Sequence, residues 1–222
     1  MINKKQIEWL VIIIILAAPF GYLYTIYNNL PQTIPTHFNL QGKPDGYGDK
    51  STLIFTTIMM TVVGIGVYFL VKYAHKIDPK KAAGQSPELL KKIALSVLLF
   101  LSLIQLIIIH SSAAEHLDGT KFIFPLIGIF LAVLGNFMHS IKPNYFIGFR
   151  IPWTLENEDN WRQTHYLVSK VWVVGGILIA VFSLLTSPLI GVILSGIILV
   201  FMIATPIVYS YQLYKNQNNT NQ

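Results

Sequence analysis

Forty-four consecutive residues, 171–214, carry no charged side chain. One helix of that length would measure about 66 Å, against roughly 30 Å for the hydrocarbon core of a bilayer. Thr186-Ser187-Pro188 near its middle is a turn signal. The stretch therefore reads as two membrane spans, 166–185 and 189–209, with Pro206 predicted to kink the second or end it early.

The same punctuation by charge recurs upstream. No Asp, Glu, Lys or Arg lies between Glu8 and Lys43, and apolar runs at 7–27, 53–71, 93–109 and 122–138 give four further spans. Charged residues make up 12% of the chain, about half the share of a soluble domain. The predicted fold class is all-α: a polytopic membrane protein with six transmembrane helices in a lipid bilayer. The start resembles a signal peptide, but the apolar run continues to Tyr27 and Pro19 sits where cleavage would fall, so a retained first span is expected. With no cysteine, disulfides and thiolate chemistry are excluded. No internal repeat is evident.

Lys and Arg set the orientation. Thirteen fall on one side: the N-terminal tail, the loop after the second span, the segment after the fourth and the C-terminal tail. Three (Lys43, Lys50, Lys121) fall on the other. The positive-inside bias predicts cytoplasmic N and C termini. The net charge of +6 is then a topological signal, and nucleic acid is not an expected partner. The expected division is an N-terminal membrane region, 1–110, with an extracellular loop at 31–52 and a basic cytoplasmic loop at 72–92. A second membrane region, 111–215, carries a cytoplasmic segment at 139–170. A polar tail, 216–222, is predicted to be disordered.

The extracellular loop is richer than a connector needs. Residues 33–40 suit a short extended piece, and Lys43-Pro44-Asp45-Gly46 is the predicted turn. Ser51 is positioned to cap the second span. His37, Phe38, Asp45 and Tyr47 offer aromatic area and hydrogen-bonding edges. They form either an external recognition surface or a compact cap on the helix ends.

The densest polar and aromatic cluster runs over 135–170. Asn136, near the end of the fourth span, is expected to face other helices. Thr154 reads as the N-cap of a short surface helix that precedes the fifth span. Glu158 is four residues from Arg162 and can pair with it, and one face can present Glu158, Trp161, Arg162 and His165 together. Three readings compete: an interfacial elbow with Trp153 and Trp161 at headgroup depth, a protein-docking surface, and an acid–base site using His165 and Glu158.

Elsewhere the chemistry is sparse. Ser86-Pro87-Glu88 is a helix start. His75, His110 and His139 sit near helix ends, and Glu115 with His116 is a weak metal candidate. No zincin, nucleophile-elbow or phosphate-loop motif occurs, and no cofactor or metal is expected. No Asp, Glu, Lys or Arg lies deep in a span, which argues against an ion-driven transporter.

Ile34-Pro35-Thr36-His37-Phe38-Asn39 followed by Gly42-Lys43-Pro44-Asp45-Gly46 resembles the domain of unknown function that precedes SdpI-type proteins. Gly135-Asn136, Lys142-Pro143-Asn144, Gly148, Arg150, Pro152-Trp153-Thr154-Leu155, Glu158, Trp161 and His165 resemble the SdpI domain in order. The resemblance implies a bacterial plasma-membrane immunity protein, not an enzyme, that resists a secreted toxic peptide. It also implies possible recruitment of a cytoplasmic transcriptional repressor. Toxin would meet His37, Phe38, Asp45 and Tyr47. Docking or a structural motif would use Asn136, Asn144, Gly148, Arg150, Pro152, Trp153, Thr154, Glu158, Trp161 and His165. The alternatives are a small transporter or peptide exporter lined by Asn136, Tyr209 and the late prolines, and an intramembrane hydrolase using His165 with Glu158 or His110 with His116.

Overall fold

The computed structural model describes residues 3–77, 84–113 and 120–220. Among them, six helices are long and apolar enough to cross a membrane. In chain order the elements are α1 (Lys4–Ile26), a 3-10 turn (Tyr27–Asn29), β1 (Thr33–Phe38), β2 (Pro44–Asp49), α2 (Ser51–Lys72), α3 (Ala74–Ile77), α4 (Pro87–Ala113), α5 (Thr120–Met138), α6 (Pro152–Glu156), α7 (Glu158–Leu185) and α8 (Pro188–Thr220). The six spans are α1, α2, α4, α5, α7 and α8, and among the described residues the one departure from an all-α fold is the hairpin β1–β2. Glu115, His116, Lys80 and Lys81 lie outside the described residues.

The helices form two groups. α1 and α2 pack on α4; α5 and α8 pack on α7; α4 and α5 join the groups. α5 and α7 share the largest interface, and small residues bring their backbones together. A Cβ added at Gly176 would come within 2.4 Å of the Gly128 carbonyl oxygen, and one at Gly128 within 2.5 Å of the Gly176 oxygen.

Three prolines lie inside spans, Pro19, Pro125 and Pro206, and two of them free a carbonyl that a neighbouring helix satisfies. Pro19 has no N–H for the Ile15 carbonyl, and Ser102 of α4 donates its hydroxyl there at 2.7 Å. Pro206 likewise frees the Met202 carbonyl, which accepts from the Trp172 indole N–H of α7 at 3.2 Å. The predicted early end at Pro206 therefore does not occur: α8 continues to Thr220 because Trp172 replaces the missing bond. The helix includes residues 216–220, where the polar composition predicts disorder.

Other boundaries also differ. A short helix, α6, does precede the fifth span, but it ends at Glu156; Glu158 to His165 form the first turns of α7 itself, which Asn157 caps by accepting from the Asn160 N–H at 2.9 Å. Thr154 is thus inside α6 and caps nothing downstream. Ser51 is not a cap either: Asp49 accepts from the Ser51 N–H at 2.8 Å and performs that role. Ser86 does cap α4, weakly, with the Leu89 N–H at 3.4 Å.

The proline–serine pairing is testable by a double-mutant cycle. Ser102→Ala should cost about 1 kcal/mol, because the Ile15 carbonyl loses its donor in lipid. In a Pro19→Ala background the restored helical N–H should remove most of that cost. Reversible unfolding in mixed micelles measures both, and equal losses in the two backgrounds would refute the pairing.

Candidate functional site

Two ends of the bundle concentrate polar side chains. At the first end sits the hairpin. Asn39 closes it: its side chain accepts from the Gln41 and Lys43 N–H groups at 3.0 Å, and Gly42 takes a φ of 76°. The turn is therefore 39–43. The predicted turn residues Pro44, Asp45 and Gly46 belong to β2, where Pro44 opens the strand without needing a donor. Ile34 is fully buried with Leu23, Leu30, Leu53 and Ile109, which pins β1 onto α1, α2 and α4. Ser112 of α4 donates to the Pro35 carbonyl at 3.1 Å. Nearby, the Tyr22 hydroxyl and His110 Nδ1 link α1 to α4 at 2.8 Å.

The sequence-derived recognition residues lie on this hairpin. His37, Asp45 and Tyr47 are exposed, and Phe38 is half-buried. His37 Nδ1 and Asp45 Oδ1 pair across the strands. Beneath the hairpin, a cavity of about 350 Å³ is bounded by β1 and by the adjoining ends of α2, α4 and α5. His37 and Phe38 reach it; Asp45 and Tyr47 are not among its lining residues. Asp49, at the hairpin base, is held below the ordinary carboxylate value, chiefly by the Ser51 N–H bond.

At the opposite end, the polar cluster predicted from sequence folds into a lock. Asn144 is buried and staples its own loop: it donates to the Lys142 and Ile147 carbonyls and accepts from the Phe146 and Ile147 N–H groups, all at 2.7–3.0 Å. The Thr154 hydroxyl donates to the Phe149 carbonyl at 2.8 Å and accepts from the Ile151 N–H at 3.2 Å. Trp161 is 1% exposed, and its indole N–H reaches the Ile141 carbonyl at 2.7 Å. Asn160 donates to the Ser210 carbonyl at 2.9 Å, and Trp153 donates to the Ser210 hydroxyl at 3.0 Å, fastening α6 and α7 to α8.

His165 closes the lock. It stacks on Trp161 with ring centroids 3.9 Å apart. Nδ1 donates to the Trp161 carbonyl at 2.9 Å, and Nε2 accepts from the Phe149 N–H at 3.0 Å. Both ring nitrogens are occupied, which requires the neutral tautomer protonated on Nδ1. Gly148 lets the chain pass over this ring: its φ is 117°, and a Cβ there would fall 2.4 Å from His165 Nε2.

The single face expected to show Glu158, Trp161, Arg162 and His165 is thus split. Trp161 and His165 point into the bundle, while Glu158 and Arg162 are exposed. Arg162 pairs with Asp159 at 2.9 Å instead of Glu158, one helical turn geometry replacing the other. Trp161 is buried in protein and presents no surface to headgroups. Asn136 is exposed on a groove between α5 and α7 and makes no interhelical bond among the described residues, contrary to expectation. Tyr209 reaches Gln163 at 3.5 Å. Arg150 bonds back to the Tyr145 carbonyl and, with Pro152, stays exposed.

A third cluster escaped sequence reading. Glu8 of α1 accepts from Lys72 and Tyr68 of α2, both at 2.7 Å, and pairs with Lys91 of α4 at 3.0 Å. It ties the three helices of the first group together at the end opposite the hairpin. The signal available was the isolated acid among basic residues at three helix ends. Among the described residues, no group of three or more His, Asp or Glu could hold a metal.

Residues 140–210 match the SdpI/YfhL protein family, and residues 14–62 match a domain of unknown function, DUF1648. The immunity protein SdpI of Bacillus subtilis (strain 168) is 30% identical over 217 residues, covering 98% of this chain and 99% of that protein. The first match takes in most of the lock, and the second spans the hairpin. No solved structure matches the chain.

Two outcomes follow from this geometry. His165→Phe keeps the stacked ring but orphans the Phe149 N–H, and stability in micelles should fall by about 1–3 kcal/mol. Unchanged stability would mean that the ring is not part of the lock. Asp49 is depressed when folded, so its contribution to the hairpin should hold above the ordinary value of 3.8. It should then be lost as pH falls further, through the lower folded value. Tyrosine fluorescence of the wild type against Asp49→Asn measures this, and a transition near neutral pH that Asp49→Asn abolishes would contradict it.

Proposed function

The chain belongs to the SdpI family, and from that membership we propose that it is an immunity protein of the bacterial plasma membrane, protecting its cell from a secreted toxic peptide. The observation that carries this reading is similarity along the whole chain to a named immunity protein, both matched regions included. The lysine distribution supports an orientation with the hairpin outside and both termini in the cytoplasm. In that orientation the hairpin and its cavity face arriving toxin. The residues that meet toxin are then His37, Phe38, Asp45 and Tyr47.

The lock faces the cytoplasm in the same orientation. Its buried members, Asn144, Thr154, Trp161 and His165, hold shape. A recruited repressor would contact the exposed side chains of Arg150, Pro152 and Glu158. Toxin binding would act on that surface by favouring one of two helix arrangements, which requires different affinity for each. No catalysis is part of this reading: the full hydrogen bonding of His165 leaves it no free nitrogen for acid–base work.

Expression in a toxin-sensitive Bacillus strain that lacks its own immunity protein tests the function. Cells carrying the chain should survive purified toxin that kills cells with an empty vector. Equal killing, with the protein present in the membrane, would remove the assignment for that toxin. If survival persists in Arg150→Ala and Glu158→Ala while a repressor no longer co-purifies with membranes, the docking surface is placed.

A further inference from the structure

One polar side chain faces lipid with nothing to bond. Asn136 is exposed on the outer side of α5 and makes no hydrogen bond among the described residues. It stands sixteen residues after Thr120, the start of α5, and so about 24 Å along a span that crosses roughly 30 Å of hydrocarbon. Packing gives a similar depth: a Cβ on the preceding Gly135 would fall 2.7 Å from Trp172 Cβ, which levels Asn136 with the middle of α7. Lys170, close to that level, turns its ammonium over the Tyr166 ring, 4.2 Å from the centroid and one turn nearer the start of α7. A lysine stem reaches the polar boundary in this way, and the short side chain of Asn136 does not. An unpaired amide held in hydrocarbon is costly, and a partner that pairs with it removes the cost.

The surroundings of Asn136 match a seat for another helix. It lines a groove of about 480 Å³ between α5 and α7, where the small side chains of Ala132 and Ala180 leave room between Ile129, Val133 and Ile177. Ile129, Ala132 and Asn136 fall at i, i+3 and i+7 along α5, the a–d–a spacing of a helix-pair seam. A single Asn at an a position of such a seam specifies its register and the number of strands. Depth then selects the occupant. An acyl chain fills the apolar part of the groove but carries no hydrogen-bonding group at this level. A second copy of the chain inserts with the same orientation, so its Asn136 stands at the same depth, and an amide is both donor and acceptor. A two-fold axis along the membrane normal brings the two amides together.

We propose that two copies of this chain pair through the α5–α7 groove, with their Asn136 amides hydrogen-bonded to each other across a two-fold axis. The pairing does not depend on the immunity assignment, because it rests on the depth, exposure and seam position of Asn136 alone. Asn136 lies two residues before the end of α5, where the chain leads into the lock. The dimer therefore sets two locks side by side, and a partner at that end of the bundle meets a two-fold surface.

The absence of cysteine permits a direct test on the full-length protein. Gln222→Cys carries one fluorophore per chain, and single-molecule photobleaching in liposomes of decreasing protein-to-lipid ratio counts the copies. Two bleaching steps should give way to one as the protein is diluted. Asn136→Leu should weaken association about tenfold, and Asn136→Gln, which keeps the amide, should restore most of it. In native membranes a short bismaleimide should join chains carrying Val133→Cys, while Val200→Cys, lipid-facing on α8, should stay unlinked. The melting temperature of the dilute monomer should be unchanged in Asn136→Leu, since a lipid-facing leucine removes no contact within the chain. A fall would return Asn136 to the packing of the monomer and overturn the proposal. Single bleaching steps at every ratio, equal association in Asn136→Leu, or equal cross-linking at Val200 would each overturn it as well. A phospholipid held by single chains of the wild type and lost in Asn136→Leu, weighed by native mass spectrometry, would assign the groove to lipid instead.

Discussion

Lipid offers no hydrogen bonds, and that constraint governs the construction of this protein. A spanning helix satisfies its own backbone except where proline interrupts it. Pro19, Pro125 and Pro206 lie inside spans, and for Pro19 and Pro206 the chain answers by the same device, a polar side chain on the central helix of each group: Ser102 on α4 and Trp172 on α7. Each bond also fixes the register of two helices, so a local defect becomes a tertiary contact. α4 and α7 hold further polar residues at their inner faces, Gln105 towards Thr57 at 2.8 Å and Asn160 towards α8. These two helices organise the bundle, each against two neighbours.

The same requirement explains the lock. Between α5 and α7 the chain must run in irregular conformation, and every backbone group there needs a partner. Asn144, Thr154 and His165 supply them, six carbonyl or N–H groups among the first two alone. The density of polar and aromatic residues in this segment therefore marks an architectural need. Only Arg150, Pro152, Glu158 and their exposed neighbours remain to meet another molecule. The hairpin end differs: its polar residues face outward or line a cavity, and the buried Ser111 hydroxyl has no partner among the described residues.

The two ends are mechanically connected through rigid elements. α4 carries the hairpin on one end through Ser112 and joins the Glu8–Lys72 cluster on the other through Lys91. A shift of α4 would therefore be felt at both ends. The Gln85 side chain, just before α4, bonds the Lys142 backbone in the loop that leads into the lock, extending that path into the second helix group.

The number and approximate limits of the spans were legible in residue order, because a charge in hydrocarbon is costly wherever it sits and the gaps between charges must match bilayer thickness. The extended piece at β1 and the cap at Ser86 were legible for similar reasons: they depend on neighbouring residues. Three kinds of feature were not. The turn moved from Lys43–Gly46 to Asn39–Lys43 because Asn39 and Gly42 outcompete a Pro-Asp-Gly signal once β1 is pinned by Ile34. Arg162 chose Asp159, and Trp161 and His165 turned inward, because packing against Ile141 and Phe149 decides which face of α7 is buried. Pro206 did not end its helix because Trp172, thirty-four residues earlier in the chain, lies beside it in space. Sequence alone determined that this chain lives in a membrane and where it crosses. Which polar side chains hold the fold, and which are left to meet a ligand, was decided by tertiary structure, since a hydrogen bond between helices depends on distances that residue order does not contain.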